Sequence, residues 1–199
     1  MARIKTSKDV TKKEVILNTA ARLFRQRGYK AASMRDLAEK LGIEAASLYN
    51  HIRAKSDLLH DICFKMAAVY NEQIDTVERS KESSLKKLED LLRFQIHQMI
   101  DNADYALVSS REWIHMEGNF LSNYLTITHN YRKRINRIIS KGIEEGEIKP
   151  SIDVPSTVWM IIHAVNGIES WHSSKTKIPA AVIEENMVSI LIDGMKKER

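Results

Sequence analysis

SMRDLAEKLGIEAASLYNHIRAKSDLL, residues 33–59, breaks into two short apolar periods around one glycine. Leu37, Ala38 and Leu41 stand at i, i+1 and i+4 and give one apolar helical face. Gly42 follows, the residue that takes the positive φ of a tight turn after a helix at no steric cost. Ile43 reads as a buried plug, and Ala46, Leu48 and Tyr49 start a second short helical pattern. Helix, glycine turn, helix is the spacing of a helix-turn-helix that reads DNA through its second helix.

That second helix is expected to turn Glu44, Ala45, Ser47, Asn50 and His51 outward, small or polar groups that let a helix approach base edges. Ser33 and Arg35, at the start of the first helix, join them at or near the bases. Tyr49, His51 and Lys55 form a cluster of donors suited to phosphate oxygens, which fix register without reading sequence. Ser56 is expected to cap the next helix and to offer its first free amides to a phosphate.

The run Leu48-Tyr49-Asn50-His51-Ile52, then Lys55-Ser56-Asp57-Leu58-Leu59, resembles the recognition-helix signature of the TetR family. The resemblance extends upstream through Ala20, Phe24, Gly28-Tyr29, Ser33, Asp36-Leu37-Ala38 and Gly42-Ile43, so it covers roughly the first 60 residues. Ile52 stands where the family usually has phenylalanine, an apolar exchange that a core tolerates. Glu44 to Ala46 departs from the commoner pattern of small hydroxyls and glycine, so the bases read are not carried over. The resemblance implies an all-α chain of about nine helices. A three-helix head is joined by a long fourth helix to a body that binds a ligand and dimerises.

Composition agrees with long helices: 43% of the 199 residues are hydrophobic, with only seven glycines and three prolines, Pro150, Pro155 and Pro179. Cys63 is the single cysteine, so an internal disulfide is excluded and nothing points to an oxidising compartment. No stretch reaches the length of a membrane span and no apolar leader opens the chain, so a soluble cytoplasmic protein is expected. The net charge of +5 is unevenly placed. Residues 1–60 hold 13 lysines and arginines against 6 acids, net +7, and residues 61–199 hold 18 against 20, net −2. A field concentrated at one end is what binding a polyanion requires.

Residues 1–10, with Arg3, Lys5 and Lys8, read as a flexible basic arm able to add phosphate or minor-groove contacts. Thr11 and Glu14 make a capping box before the stripe Leu17, Ala20, Ala21 and Phe24, which Gly28 ends. Ser33 with Asp36 repeats the start signal. The DNA-binding domain is placed at 11–56, its last helix running on to about 78 with Leu58, Ile62, Met66, Val69 and Tyr70 inward. Residues 79–199 form the body. There Leu85, Leu88, Leu92, Ile96 and Met99 mark a fifth helix, 103–117 a short sixth, and Phe120 to Ile139 a long seventh ending at Gly142 to Gly146. An eighth starts near Pro155 and reaches Trp171. Val158, Ile161, Ile162 and Val165 of the eighth, with Met187, Ile190, Leu191 and Met195 of the ninth, are expected to form a four-helix dimer interface with a second chain. Two heads related by a two-fold axis read a palindrome.

Phe94, His97, Tyr105, Arg111, Trp113, His115, Phe120, Tyr124 and His129 mix polar groups with aromatic walls, the chemistry of a small-molecule pocket. The family resemblance implies a repressor released from its operator when such a ligand binds. Glu112-Trp113, Tyr131-Arg132 and Gly167 to Trp171 are loosely similar to members that sense acyl-coenzyme A thioesters, with Arg132, Lys133 and Arg134 able to serve phosphates. An apolar drug or metabolite is the competing ligand. No cofactor or resident metal is expected. Two rival readings remain: a metal-dependent helical bundle using the E-x-x-H of Glu112 and His115, and a dimeric scaffold with only non-specific DNA affinity. Cys63 reads as a small buried hydrophobe.

Overall fold

The capping signals place the helices. In the computed structural model, which describes residues 11–169 and 178–197, Thr11 accepts from the Glu14 amide and opens α1 (Lys12–Arg27), closed by Gly28. Ser33 and Asp36 cap α2 (Met34–Leu41) in the same reciprocal way. Gly42 then sits in the left-handed region (φ 66°, ψ 33°), its amide bonding to Glu39 and the Ile43 amide to Ala38 at 3.0 Å. This is a Schellman turn, which satisfies the carbonyls that end α2 and seats Ile43 in the core. α3 is one turn, Ala45–Leu48, and α4 runs Lys55–Arg79. The remaining helices are α5 (Ser84–Asp101), α6 (Ala103–Arg111), a 3-10 turn Glu112–His115, α7 (Gly118–Glu144), α8 (Val154–Asn166) and α9 (Ala180–Val188), which continues in a π-helical turn, Ser189–Asp193. Among the described residues the only β pairing is one bridge, Ile148 to Lys196. The basic arm at 1–10 and the far end of the eighth helix at Trp171 lie outside the described residues.

By contact the chain divides into two units, and α4 and α7 each contribute to both. The first unit holds residues up to Ala67 together with Asp104–Leu125. Its core is Ile16, Ala20, Phe24, Leu37, Ala38, Leu48, Leu58 and Ile62, with Leu107, Val108 and Met116 from α6 and the segment after it. By contact, α6 from Asp104 onward therefore groups with the head. Arg25 pairs with Asp104 at 3.1 Å and the Tyr105 hydroxyl donates to Asn18 at 2.6 Å, long-range contacts that no local pattern announces.

The second unit holds Ala68–Ala103 and the chain from Thr126 onward. α5 packs on α8 and α9 through Leu88, Leu92, Ile96, Val158, Ile161, Val165 and Ile192. Arg93 ties α5 to Glu184 and Glu185 of α9, and Arg134 ties α7 to Asp75 and Glu78 of α4. Four of the residues assigned to a dimer face, Val158, Ile161, Val165 and Met195, are consequently buried within the single chain, and Ile162, Met187 and Leu191 are half-buried. Ile190, assigned to the same face, is 72% exposed, and on these two helices Trp159, Met160 and Val182 are also outward.

α7 meets the loop after it at Gly142, where an added Cβ would lie 2.6 Å from Ile148 Cδ1 and 2.9 Å from Ser84 Cβ. Helix propensity alone favours alanine over glycine by about 1 kcal/mol. Here the clash with a packed isoleucine opposes it, and overpacking of this kind costs about 1–3 kcal/mol. Gly142→Ala is expected to lower the midpoint of urea unfolding; a raised midpoint would show that Ile148 yields freely.

Candidate nucleic-acid interface

The reading edge is built on one anchor. Leu48 is fully buried, Ile43 and Ile52 before and after it in the chain are buried too, and α3 packs on α2. Around it Glu44, Ala46, Asn50 and His51 are exposed, Tyr49 is 53% exposed, and Ala45 and Ser47 are half-buried. Ala46, expected inward, is thus on the open side. A four-residue helix has too few positions for a 3.6-residue period to define a face. Asn50 and His51 are not on the helix but on the tight turn after it, where their amides bond to Ser47 at 3.3 Å and Leu48 at 2.9 Å.

The first helix of the pair presents Arg35 in the open, while the Ser33 hydroxyl is committed to the α2 cap with Asp36. Bonds donated to the Asp36 carboxyl by the Ser33 hydroxyl and the Ser33 amide, with the nearby Arg27 guanidinium 2.8 Å away, hold it below its ordinary range. Its share of stability is therefore present above the unfolded pKa near 3.8 and is lost as pH falls through the lower folded value. Ser56 is not a cap: α4 begins at Lys55, and the capping contact is the Ala54 amide donating to Asp57 Oδ2 at 3.2 Å. Ser56 is exposed in the first turn, where a helix amide still suits an anion.

Lys55 shows a role that its place in the motif did not announce. Its ammonium donates to the carbonyls of Tyr29 and Ala32, both at 2.8 Å, and lies 4.3 Å from the centre of the Tyr29 ring. Two of its three donors hold the turn between α1 and α2, which leaves one for a phosphate. Tyr29 is the hub of this end of the molecule. Phe24 meets its ring edge-on at 5.2 Å, His115 stacks on it at 5.7 Å, and its amide donates to Glu112 Oε2 at 3.1 Å. The E-x-x-H pair of Glu112 and His115, whose Nε2 is 3.5 Å from the same carboxylate oxygen, is thus engaged with the head. Cys63 is fully buried in α4, and burial pushes its thiol up.

The nine residues expected to line a pocket are distributed between the two units. Tyr124 is buried in the first, its hydroxyl donating to the Ser109 carbonyl at 2.8 Å, with Trp113 and Phe64 against its ring. Phe120 covers His60 at 4.2 Å, Tyr105 is held by Asn18, and Arg111 is exposed. In the second unit His97 is exposed and paired with Glu184 at 3.0 Å, His129 is exposed on α7, and Phe94 packs edge-on against Tyr70 at 6.3 Å. Beside Phe94 lies a polar pair that sequence reading missed. Gln95 Nε2 donates to the Tyr131 hydroxyl at 2.7 Å, and burial pushes the Tyr131 hydroxyl up. An amphipathic pattern marks Gln95 only as an odd polar residue on an apolar face.

A helix-turn-helix with a buried anchor and an exposed edge, in the part of the chain that carries the net +7, defines a DNA-binding regulator. The comparisons give the family. Residues 16–62 match the model of bacterial regulatory proteins of the tetR family, and 81–195 match that of the tetracyclin repressor-like C-terminal domain. The chain belongs to the TetR family and is a helix-turn-helix transcriptional regulator. It is similar to the transcriptional repressor KstR2 of Mycobacterium tuberculosis, 22% identical over 189 residues and 92% of each chain. The solved structure of that ketosteroid regulator superposes with a TM-score of 0.87 at 21% identity, covering 98% of this chain and 100% of the other. It is also similar to the fatty acid metabolism regulator protein of Bacillus subtilis, 19% identical over 90% of this chain and 93% of that one. AibR, solved with isovaleryl coenzyme A and operator DNA, has a TM-score of 0.83 at 23% identity over 92% of this chain and 98% of its own. Among the described residues no helix is long and apolar enough to cross a membrane.

Lys55 and Tyr49 separate by measurement. Lys55→Ala removes two charge-assisted bonds and strands two carbonyls, so it is expected to destabilise the DNA-free protein by about 1–3 kcal/mol in chemical denaturation. Tyr49→Ala, at an exposed position, should leave that stability within about 0.5 kcal/mol. Equal stability losses in the two variants would refute the structural role given to Lys55.

Proposed function

We propose that this chain is a cytoplasmic homodimeric repressor that holds a palindromic operator and leaves it when a coenzyme A thioester binds the second unit. The observation that carries the DNA half of this reading is the exposed edge around buried Leu48. On it Arg35, Glu44, Ala45, Ala46, Ser47, Asn50 and His51 reach base edges, with Ser33 setting the start of α2. Tyr49, the third donor of Lys55 and the amide of Ser56 take phosphates.

The dimer forms through the outward stripes of α8 and α9. Met160, Ala164 and Gly167 recur on one exposed face of α8, and Val182 and Ile190 on α9. Two chains bring these four helices together as a bundle and bury side chains that one chain leaves in water. That pairing sets two heads about 34–36 Å apart, or a multiple of it, on the two half-sites.

Support for the ligand comes from the isovaleryl coenzyme A, ketosteroid and fatty acid named for AibR, KstR2 and the Bacillus subtilis regulator. In this chain Phe94 and Tyr70 supply an aromatic wall, and the Gln95–Tyr131 pair supplies a polar point within it. The Tyr131 hydroxyl, accepting from Gln95, retains its own proton to donate to a thioester carbonyl.

The test is a footprint of the purified protein on DNA flanking its own gene, at physiological salt with excess random competitor. A protected palindrome released by acyl-coenzyme A is expected, and sequence-indifferent binding that vanishes with salt would favour the scaffold reading. Tyr131→Phe should keep the operator yet need about tenfold more thioester for release, a loss of roughly 1.4 kcal/mol. Met160→Asp with Ile190→Asp should sediment as a monomer and lose the operator; a stable dimer would remove α8 and α9 as the interface.

A further inference from the structure

We infer that the Tyr70 hydroxyl is a second hydrogen-bonding point beside Tyr131, and that the acyl group taken there carries an uncharged oxygen of its own, an oxo or hydroxyl group. The inference rests on the reading that an effector's acyl end lies against Phe94 and Tyr131, and it adds the class of that acyl group.

Three helices of the second unit meet at this point: α4 brings Tyr70, α5 brings Phe94 and Gln95, and α7 brings Tyr131. The Tyr70 ring stands between the other two, 6.3 Å from Phe94 edge-on and 6.0 Å from Tyr131 at 41°. One helical turn away along each chain the packing is closed: Ile74 after Tyr70, Ile135 after Tyr131, and Leu91 and Met99 on either side of Gln95 are all buried. Tyr70 and Tyr131 themselves keep part of their surface accessible. Accessible rings on helices whose neighbouring turns are packed line a recess.

The hydroxyls in this fold are otherwise spoken for. Tyr105 donates to Asn18, Tyr124 donates to the Ser109 carbonyl, and Tyr131 accepts from Gln95. Among the described residues the Tyr70 hydroxyl has no hydrogen-bond partner, although its ring is as deeply set as theirs. A polar group in such surroundings is normally satisfied, so a donor left over asks for an acceptor. The acceptor has a reachable path, because Tyr70 is half-buried and not sealed. It also has a place on the ligand: the two phenols are near enough for a charge on Tyr70 to oppose one on Tyr131, so both face the same short stretch of acyl chain. Tyr131 then donates to the thioester carbonyl and Tyr70 to the second oxygen.

That second oxygen is neutral. Burial pushes the Tyr70 hydroxyl up to about 12, and no charged side chain contributes. The cation felt at Tyr131 is Arg134, which is bonded to Asp75 and Glu78. A carboxylate beside Tyr70 would give up its water for one phenol and no free cation, whereas a ketone or alcohol loses little and gains a bond.

The experiment is calorimetry on the full-length dimer with uncharged probes that lack coenzyme A: methyl octanoate and three isomers bearing one oxo group at successive odd carbons. At least one oxo ester is expected to bind about tenfold tighter than the plain ester. Tyr70→Phe should abolish that gain while plain-ester affinity and melting stay close to unchanged. An oxo preference that survives Tyr70→Phe, an equal loss for plain and oxo esters, or no oxo ester preferred by the unaltered protein overturns the inference. The monomethyl ester of octanedioic acid, which ends in a carboxylate, should bind more weakly than methyl octanoate; equal or tighter binding overturns the requirement for a neutral oxygen. The two readings fail separately. Octanoyl-coenzyme A that releases operator, with no oxo preference dependent on Tyr70, removes this inference and keeps the effector. An oxo preference dependent on Tyr70, while no thioester releases operator, keeps this inference and removes the coenzyme A effector.

Discussion

The ammonium of Lys55 closes the head. By bonding the carbonyls of Tyr29 and Ala32 it joins the first turn of α4 to the turn between α1 and α2, segments 23 and 26 residues apart in the chain. Without it those carbonyls would face the end of a helix with no donor, and the orientation of α2 relative to α4 would rest on apolar contacts, which have no direction. The reading edge depends on that orientation. α3 is a single turn with one buried side chain, so its position is inherited from α2 through the Gly42 turn and from α4 through Ile52. A short element placed this way is exact only if its neighbours are, which explains why so many directional bonds converge on Tyr29.

What could be read from the chain follows the range of the forces involved. Starts and stops of α1 and α2 were legible because Thr11 with Glu14, Ser33 with Asp36, and Gly42 act within a few residues. The long α4 and α7 were legible from sustained period. Facing was not. α8 carries Val158, Ile161 and Val165 on one side and Trp159 and Met160 on another, so an apolar stripe exists whichever side is inward. Val158, Ile161 and Val165, read as dimer face, are buried within the chain, whereas Ile190, read with them, is exposed. Residues such as Asp104, Tyr105 and Glu112 looked like part of the body because their head partners, Arg25, Asn18 and Tyr29, are about 80 residues away. Only tertiary packing shows such pairs.

The same distinction applies to function. The basic end of the chain and the helix-turn-helix spacing are local signals, and both led to DNA. A pairing such as that of Gln95 with Tyr131, 36 residues apart, is a tertiary property: Tyr131 was marked only by resemblance, and Gln95 not at all. A list of aromatic and histidine positions therefore gathers residues from both units, among them Tyr124, whose hydroxyl is already bonded within its own unit.

An anionic effector raises a question of magnitude about release. Its negative charge opposes a second polyanion, and at first sight that repulsion could loosen DNA directly. Screening decides against it. At physiological ionic strength the Debye length is about 8 Å, whereas α4, at 25 residues and about 1.5 Å each, is roughly 37 Å long. Charge acting through solvent over such a span is almost wholly screened. Release then needs two conformers of the protein that the effector and the operator prefer oppositely, and α4 is an unbroken element present in both units. Reciprocity follows: operator DNA must weaken the effector by the same factor that the effector weakens DNA, so effector binding and operator binding have to be measured as one equilibrium.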